Sequence, residues 1–458
     1  MMQGRYIDNP LLDKVVVVDH HQITFQSLQL LAETQFIESF QSIDKQLLVN
    51  QPNINILTLF FIFSKRDDNS IYTGAPGLCL FYLIQYLVPT SCKYPQTDSL
   101  IQSLNRCKEL YNHLNNNKKK TSSNSEKKKR ITFLEGENGL LTIGIILGSI
   151  DLINDNNNNI DLKNQWIKLL NEIIIDNYNS LFESYPFELL YGKCGYIQNL
   201  LFIRKYCFDT LVSTNQLLRL DKCIYDLVDH IVEQGRLYSK QNSISSPLMY
   251  EWHHSQYLGG VHGLAGILYI LMNCLELIDD ESDKKLNISN DIKGSLDYLM
   301  STRLESGNFP TRPDNTNDRL VQFCHGAPGV IPTLLKAHSF FKDSKYLECA
   351  KISSDVIWKY GLLTKGTGLC HGISGNAYSF LLIYKESKDE KDISYLWKTI
   401  EFIKLATSQS ILKQQSQPDN PYSLFEGLTG LAWLLNDLIN LFKYKQSYLN
   451  QIHFPTLL

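Results

Sequence analysis

The sequence predicts an all-α protein: a double α-barrel toroid of the (α/α)7 kind, with seven inner and seven outer helices. Two observations predict it. Seven times the 458-residue chain writes Gly-x-x-Gly followed by a mostly apolar run, and the segments between these runs show helical spacing with a polar face.

The first glycines of the seven turns are Gly74, Gly136, Gly192, Gly263, Gly326, Gly372 and Gly427. The runs that follow, such as GLCLFYL and GILYILM, are long and lack the alternation of a half-buried strand, so they read as buried helices. The intervening segments, such as 345–360 and 393–407, read as amphipathic helices. One repeat therefore holds two helices and their turns. Such a unit cannot bury both helix faces alone, and stacking of neighbours solves that problem. Closure of seven hairpins would make 1–458 one domain, although the length alone suggests two or three.

Each glycine pair permits close backbone approach where a loop enters an inner helix. If every inner helix starts at such a turn, the turns gather at one end of the barrel. Helix N-termini carry unpaired N–H groups and positive dipole ends, so that rim is expected to favour anions and thiolates.

Two stretches, 115–130 (NNNKKKTSSNSEKKKR) and 154–159 (NDNNNN), cannot bury apolar surface and read as solvated loops, the first a disordered insertion. Hydrophobic residues at 43% and charged residues at 20% are ordinary for a globular chain, and a net charge of −3 argues against a broad nucleic-acid surface. The apolar run 54–63 is about half of what a membrane-spanning helix needs, so no membrane span is expected. The ten cysteines are scattered, not spaced as a disulfide framework, and the N-terminus lacks a signal pattern and a Met-Gly start. These features point to a reducing, cytoplasmic setting.

Three turns carry chemically able residues just before their first glycine: His262-Gly263, Cys324-His325-Gly326 and Cys370-His371-Gly372. Cys-His-Gly at equivalent positions of a repeat places both pairs on the same rim. Thiolates and imidazoles at close range are zinc ligands. Cys324, His325, Cys370 and His371 are the four candidates. Neighbouring helical residues point about 100° apart, so at most one pair is expected to donate both side chains. Spacing does not choose that pair.

Carried by MYEWHHSQYLGGVHGLAGILYIL, SGNFP, CHGAPGV, DVIWKYGLL, KGTGLCHGISGNAY and YSLFEGLTG, the sequence resembles the lanthionine synthetase C-like proteins, eukaryotic relatives of the lantibiotic cyclases. The resemblance is close from 249 to 433 and rests further upstream on the turns and FELLYGKCGY. It implies the seven-over-seven double barrel and one zinc ion held by Cys324, Cys370 and His371, with His325 outside the ligand set. It places the family's histidine before Gly-Leu-Ala-Gly on His262, and an acidic residue, by a looser match, on Glu188. It also implies glutathione as a partner, held by Lys365, by Arg5 and by the stretch Ser416-Gln417-Pro418-Asp419. The family carries an Arg where this chain has Ser416, so one carboxylate contact would be weaker here.

The implied activity is addition of the glutathione thiol to dehydroalanine and dehydrobutyrine residues in proteins. Two thiolates and one neutral imidazole form an electron-rich site that ionises an added thiol near pH 7 yet leaves it nucleophilic. A free thiol, with a pKa of about 8.5, would be only slightly ionised there. His262 is the acid/base candidate for the proton at the α-carbon, with Glu188 orienting or assisting it. Three other readings share parts of this logic. Protein prenyltransferase subunits are helical toroids with a thiol-activating zinc, but their carboxylate ligation does not match the paired Cys-His-Gly turns. A glutathione-binding sensor or scaffold would need no turnover. A lanthionine-forming cyclase would put a peptide cysteine in place of glutathione.

Overall fold

The computed structural model describes residues 5–12, 68–91, 98–118, 130–155, 159–178, 181–277, 283–387 and 392–457, together with Leu28, Ser39 and Asp389. Among these residues the chain is all-α, with thirteen substantial helices. They are α1 (Pro76–Ser91), α2 (Asp98–Lys118), α3 (Asn138–Asn154), α4 (Ile160–Asn171), α5 (Lys193–Tyr206), α6 (Leu217–Gln241), α7 (Leu264–Glu276), α8 (Asp283–Ser301), α9 (Ala327–Phe341), α10 (Ser344–Tyr360), α11 (Ile373–Ser387), α12 (Ile393–Thr407) and α13 (Leu428–Tyr444). All seven Gly-x-x-Gly turns lead directly into a helix, and these helices are α1, α3, α5, α7, α9, α11 and α13. The other six are the intervening helices. A seventh amphipathic helix and the closure of the ring stay expectations.

The residues cluster into two compact units. One holds the described residues of Met1–Arg66, Tyr257–Tyr269 and Leu296–Leu457; the other holds those of Asp67–Gln256 and Ile270–Ser295. In the second unit α1 packs on α2, α3 on α4 and α5 on α6, while α1 meets α3 and α3 meets α5. In the first, α9 packs on α10 and α11 on α12, while α9 meets α11 and α11 meets α13. Helices that follow a turn are buried along most of their length: α11 buries every residue from Ile373 to Ile383. The intervening helices bury one stripe. On α6, Leu220, Ile224, Leu227, Ile231 and Gly235 recur at helical spacing.

Local chemistry sets the hairpin joints. Between α9 and α10, Lys342 turns left-handed at φ 55° and the Asp343 side chain caps α10 by accepting from Lys345 N–H at 3.1 Å. The stretch expected to be a loop from 115 begins as helix: 115–118 are the last turn of α2, and 119–129 lie outside the described residues. In the second polar stretch, Asn154 ends α3 and Asn159 caps α4 through Leu162 N–H at 3.1 Å. The apolar run 54–63 lies outside the described residues, and among those described no helix is long and apolar enough to cross a membrane.

A buried carboxyl joins α11 and α13 to the C-terminal segment. Asp437, only 4% exposed, accepts from the phenols of Tyr378 at 2.7 Å and Tyr448 at 2.8 Å. Burial pushes its carboxyl up to about 7, against the pull of both phenols and Lys385. The folded state thus favours the protonated acid. Its contribution to stability is complete below the unfolded value near 4 and is lost as pH rises towards 7, a change of up to about 4 kcal/mol. Asp437→Asn is therefore expected to melt above the parent at pH 8, with the gap closing towards pH 4, as thermal melts across pH would show.

Candidate metal centre and its surroundings

The repeated turn has a repeated hydrogen-bonding scheme. Lys193, Cys194 and Gly195 donate their N–H groups to Pro186, Phe187 and Glu188 carbonyls at 2.8, 3.2 and 3.4 Å. Leu264 and Ala265 donate to Tyr257 and Leu258 at 2.9 and 3.1 Å, Ile373 to Gly366 at 3.2 Å and Leu428 to Pro421 at 2.9 Å. Every acceptor lies seven residues upstream. The second glycine lets the loop lie this close: a Cβ on Gly195, Gly266, Gly329 or Gly375 would sit within 2.1 Å of a carbonyl oxygen six residues earlier. This corrects the expectation of a rim of unpaired amides, because the loop's own carbonyls cap many of these helix starts.

Successive turns are stitched side by side within the first unit. Phe323 N–H donates to Cys370 O at 2.9 Å and Cys370 N–H to Phe425 O at 2.8 Å. A Cβ on Gly259 would meet Cys324 O at 2.3 Å, which brings the His262 turn against the Cys324 turn. Equivalent positions of neighbouring repeats are thereby made spatial neighbours. The metal-ligating atoms of Cys324, Cys370 and His371 lie within 4.8 Å of one another.

Two thiols and one imidazole at this range could hold a metal ion, and the electrostatics agree. Cys324 is held well below the usual thiol range, first by its hydrogen bond with Cys370, then by His371 and His325, against the opposing effect of burial. Gln322 Nε2 also donates to Cys324 Sγ at 3.0 Å, a bond that favours the thiolate. Cys370 is 2% exposed and Cys324 8%, so both sulfurs are shielded from solvent.

Three residues that sequence reasoning did not single out hold this geometry. Asn308, in the SGNFP string, accepts from Ala327 N–H at 2.8 Å and donates to Asp318 and to Leu320 O at 2.8 and 3.0 Å, fixing the loop before Cys324. Asn376, fully buried in α11, donates to Val321 O and Gly361 O, each at 2.9 Å. Gln322 is the third. The quoted motifs contained Asn308 and Asn376, but nothing in them marked an amide that ties two loops together.

His262 and His325 lie with ring centroids 6.0 Å apart, and Tyr257 lies 6.2 Å from the first and 5.5 Å from the second. Burial lowers the His325 pKa, so its ring is neutral at pH 7, and its Nδ1 has no hydrogen-bond partner. Glu188 belongs to the other unit. It is 1% exposed and caps its own turn, accepting from Leu190 N–H at 3.0 Å and from Tyr191 N–H.

Lys365, Arg5 and 416–419 come together around Thr364. Thr364 N–H donates to Arg5 O at 3.1 Å, and Ser416 donates its N–H and hydroxyl to Thr364 O at 2.7 and 3.0 Å. Pro418 packs on Gly366, whose φ is +91°. The side chains of Arg5, Lys365, Ser416, Gln417 and Asp419 are exposed there. Where the resemblance implies an Arg, the Ser416 hydroxyl is turned onto a backbone carbonyl.

A family model described as lanthionine synthetase C-like protein matches residues 65–448. The chain belongs to that family. It is 38% identical over 260 residues to the Danio rerio protein named glutathione S-transferase LANCL1, a match covering 56% of this chain and 59% of that one. The matched stretch therefore spans less than two thirds of that relative. It is 31% identical over 386 residues to LanC-like protein GCL1 of Arabidopsis thaliana, covering 81% and 79% of the two chains. The fold resembles that of nisin cyclase, with a TM-score of 0.55 at 17% identity over 91% of this chain and 96% of that one.

Proposed function

We propose that this protein is a zinc-dependent glutathione transferase that adds the glutathione thiol to dehydroalanine and dehydrobutyrine residues of proteins, with the chain closing as one (α/α)7 ring over 1–458. The observation that carries this reading is the juxtaposition of two thiols and an imidazole with ligating atoms within 4.8 Å. The relative named as a glutathione S-transferase supports the choice of thiol.

Cys324, Cys370 and His371 would hold the zinc ion, leaving a fourth position for the thiol. Bound there, the ion would supply the Lewis acidity that keeps a thiol ionised near neutral pH. The chain's own groups do the rest. Lys365 and Arg5, exposed cations on segments joined through Thr364, are suited to the two carboxylates of glutathione. In the addition a C–S bond forms at the β-carbon, the C=C π bond breaks, and the α-carbon takes a proton. His262 is the proton donor in this reading, and the neutral His325 beside it can relay or accept one. Glu188 supports its turn, and its carboxylate is engaged by two amides there.

Positioning is worth as much as proton transfer in a two-substrate addition. Lys365→Ala is expected to raise the half-saturation concentration for glutathione about tenfold while leaving kcat within about twofold. Steady-state kinetics with a dehydrobutyrine peptide at saturating concentration check this. An unchanged half-saturation would remove Lys365 from the glutathione site.

A further inference from the structure

A cavity of about 440 Å³ lies wholly within the second unit, between the start of α3, the end of α4 and the π-helical turn Glu172–Asp176. π-turns of this kind recur at functional sites. Glu137, Asn138, Lys168, Asn171, Glu172 and Asp176 line it. Two of these lining residues each hold a buried polar atom with no hydrogen-bond partner: Asn138 Nδ2 and Asn171 Oδ1. Asn138 is 1% exposed, and its orientation is fixed. Asn177 Nδ2 donates both to Asn138 Oδ1 at 3.3 Å and to Glu172 O at 2.9 Å, so swapping the Asn138 amide would set donor against donor.

We propose that this cavity binds an extended peptide segment carrying a lysine or arginine side chain. The orphan donor of Asn138 and the orphan acceptor of Asn171, two residues of this lining, match in kind the C=O and N–H of a peptide unit. Leaving both buried and unpaired is costly, so a ligand that satisfies them gains specificity. Three carboxylates against one lysine select a cation. Leu141 and Ile167 supply apolar wall for its aliphatic stem. The volume falls in the range of small-ligand pockets and suits a short segment of chain. The site does not depend on the thiol chemistry proposed above and is tested without glutathione.

Calorimetric titration of the full chain with acetyl-Gly-Lys-Gly-amide, its norleucine and glutamate analogues, and putrescine tests the assignment. The lysine peptide is expected to bind about fivefold or more tightly than the norleucine peptide. The glutamate peptide and putrescine should be weaker than the lysine peptide. E172Q combined with D176N should abolish the lysine preference while the melting temperature is kept. Asn138→Asp, which keeps the bond from Asn177 but removes the orphan donor, should weaken the neutral norleucine peptide. Equal affinity for lysine and glutamate peptides, putrescine as tight as the lysine peptide, or an intact preference in the double variant would each overturn the proposal.

Discussion

Cys370→Ala is expected to weaken zinc binding by more than about 100-fold, so that the protein leaves gel filtration with only a trace of the ion. Thiol transfer should fall in parallel. The expectation follows from the donor set: removing one sulfur leaves Cys324 and His371, and two ligands do not make a tetrahedral site. Gln322→Leu grades the effect. It removes only the amide that donates to Cys324 Sγ at 3.0 Å, so affinity should drop about tenfold and the ion should still copurify. Zinc content by mass spectrometry, paired with thermal melts, checks both. Full zinc content in Cys370→Ala would mean that the cluster is not the metal centre.

The second large effect is at His262. His262→Ala should slow thiol addition by about 10² to 10⁴ fold with little change in half-saturation for glutathione, because the imidazole acts on the proton and not on the bound tripeptide. His325 stands 6.0 Å away and is kept neutral by burial, so His325→Ala separates the two roles. A proton donor at His262 predicts that the fall in rate at high pH survives in His325→Ala and disappears in His262→Ala. Addition at the parent rate in His262→Ala would end that assignment.

The seven turns were legible because Gly-x-x-Gly is a steric requirement written directly in residue type. A side chain on Gly375 would collide with Leu369 O, so the glycine marks the loop-to-helix packing wherever it recurs. The helices of the hairpins were legible for a similar reason, since apolar spacing reports which faces are buried. Cys324 and Cys370 stood out because the repeat made their positions equivalent. Their neighbourhood in space rests on Phe323 N–H and Cys370 N–H bonding across turns, which no local pattern records. The expectation of unpaired amides at these helix starts was corrected for the same cause. Bonds from helix amides to carbonyls seven residues upstream are backbone events without a residue signature. Asn308, Gln322 and Asn376 were missed because an amide that braces a loop looks, in sequence, like any surface amide. The convergence of Arg5, Lys365 and 416–419 on Thr364 joins residues from opposite ends of the chain, and only the resemblance grouped them.

The most direct test is to mix the zinc-loaded protein with glutathione and a dehydrobutyrine peptide at neutral pH and weigh the peptide. The account predicts a peptide heavier by one glutathione, formed faster than without protein and not formed by Cys370→Ala. An unchanged peptide, with glutathione bound to the zinc-loaded protein, would contradict it and leave a thiol-binding protein without this chemistry.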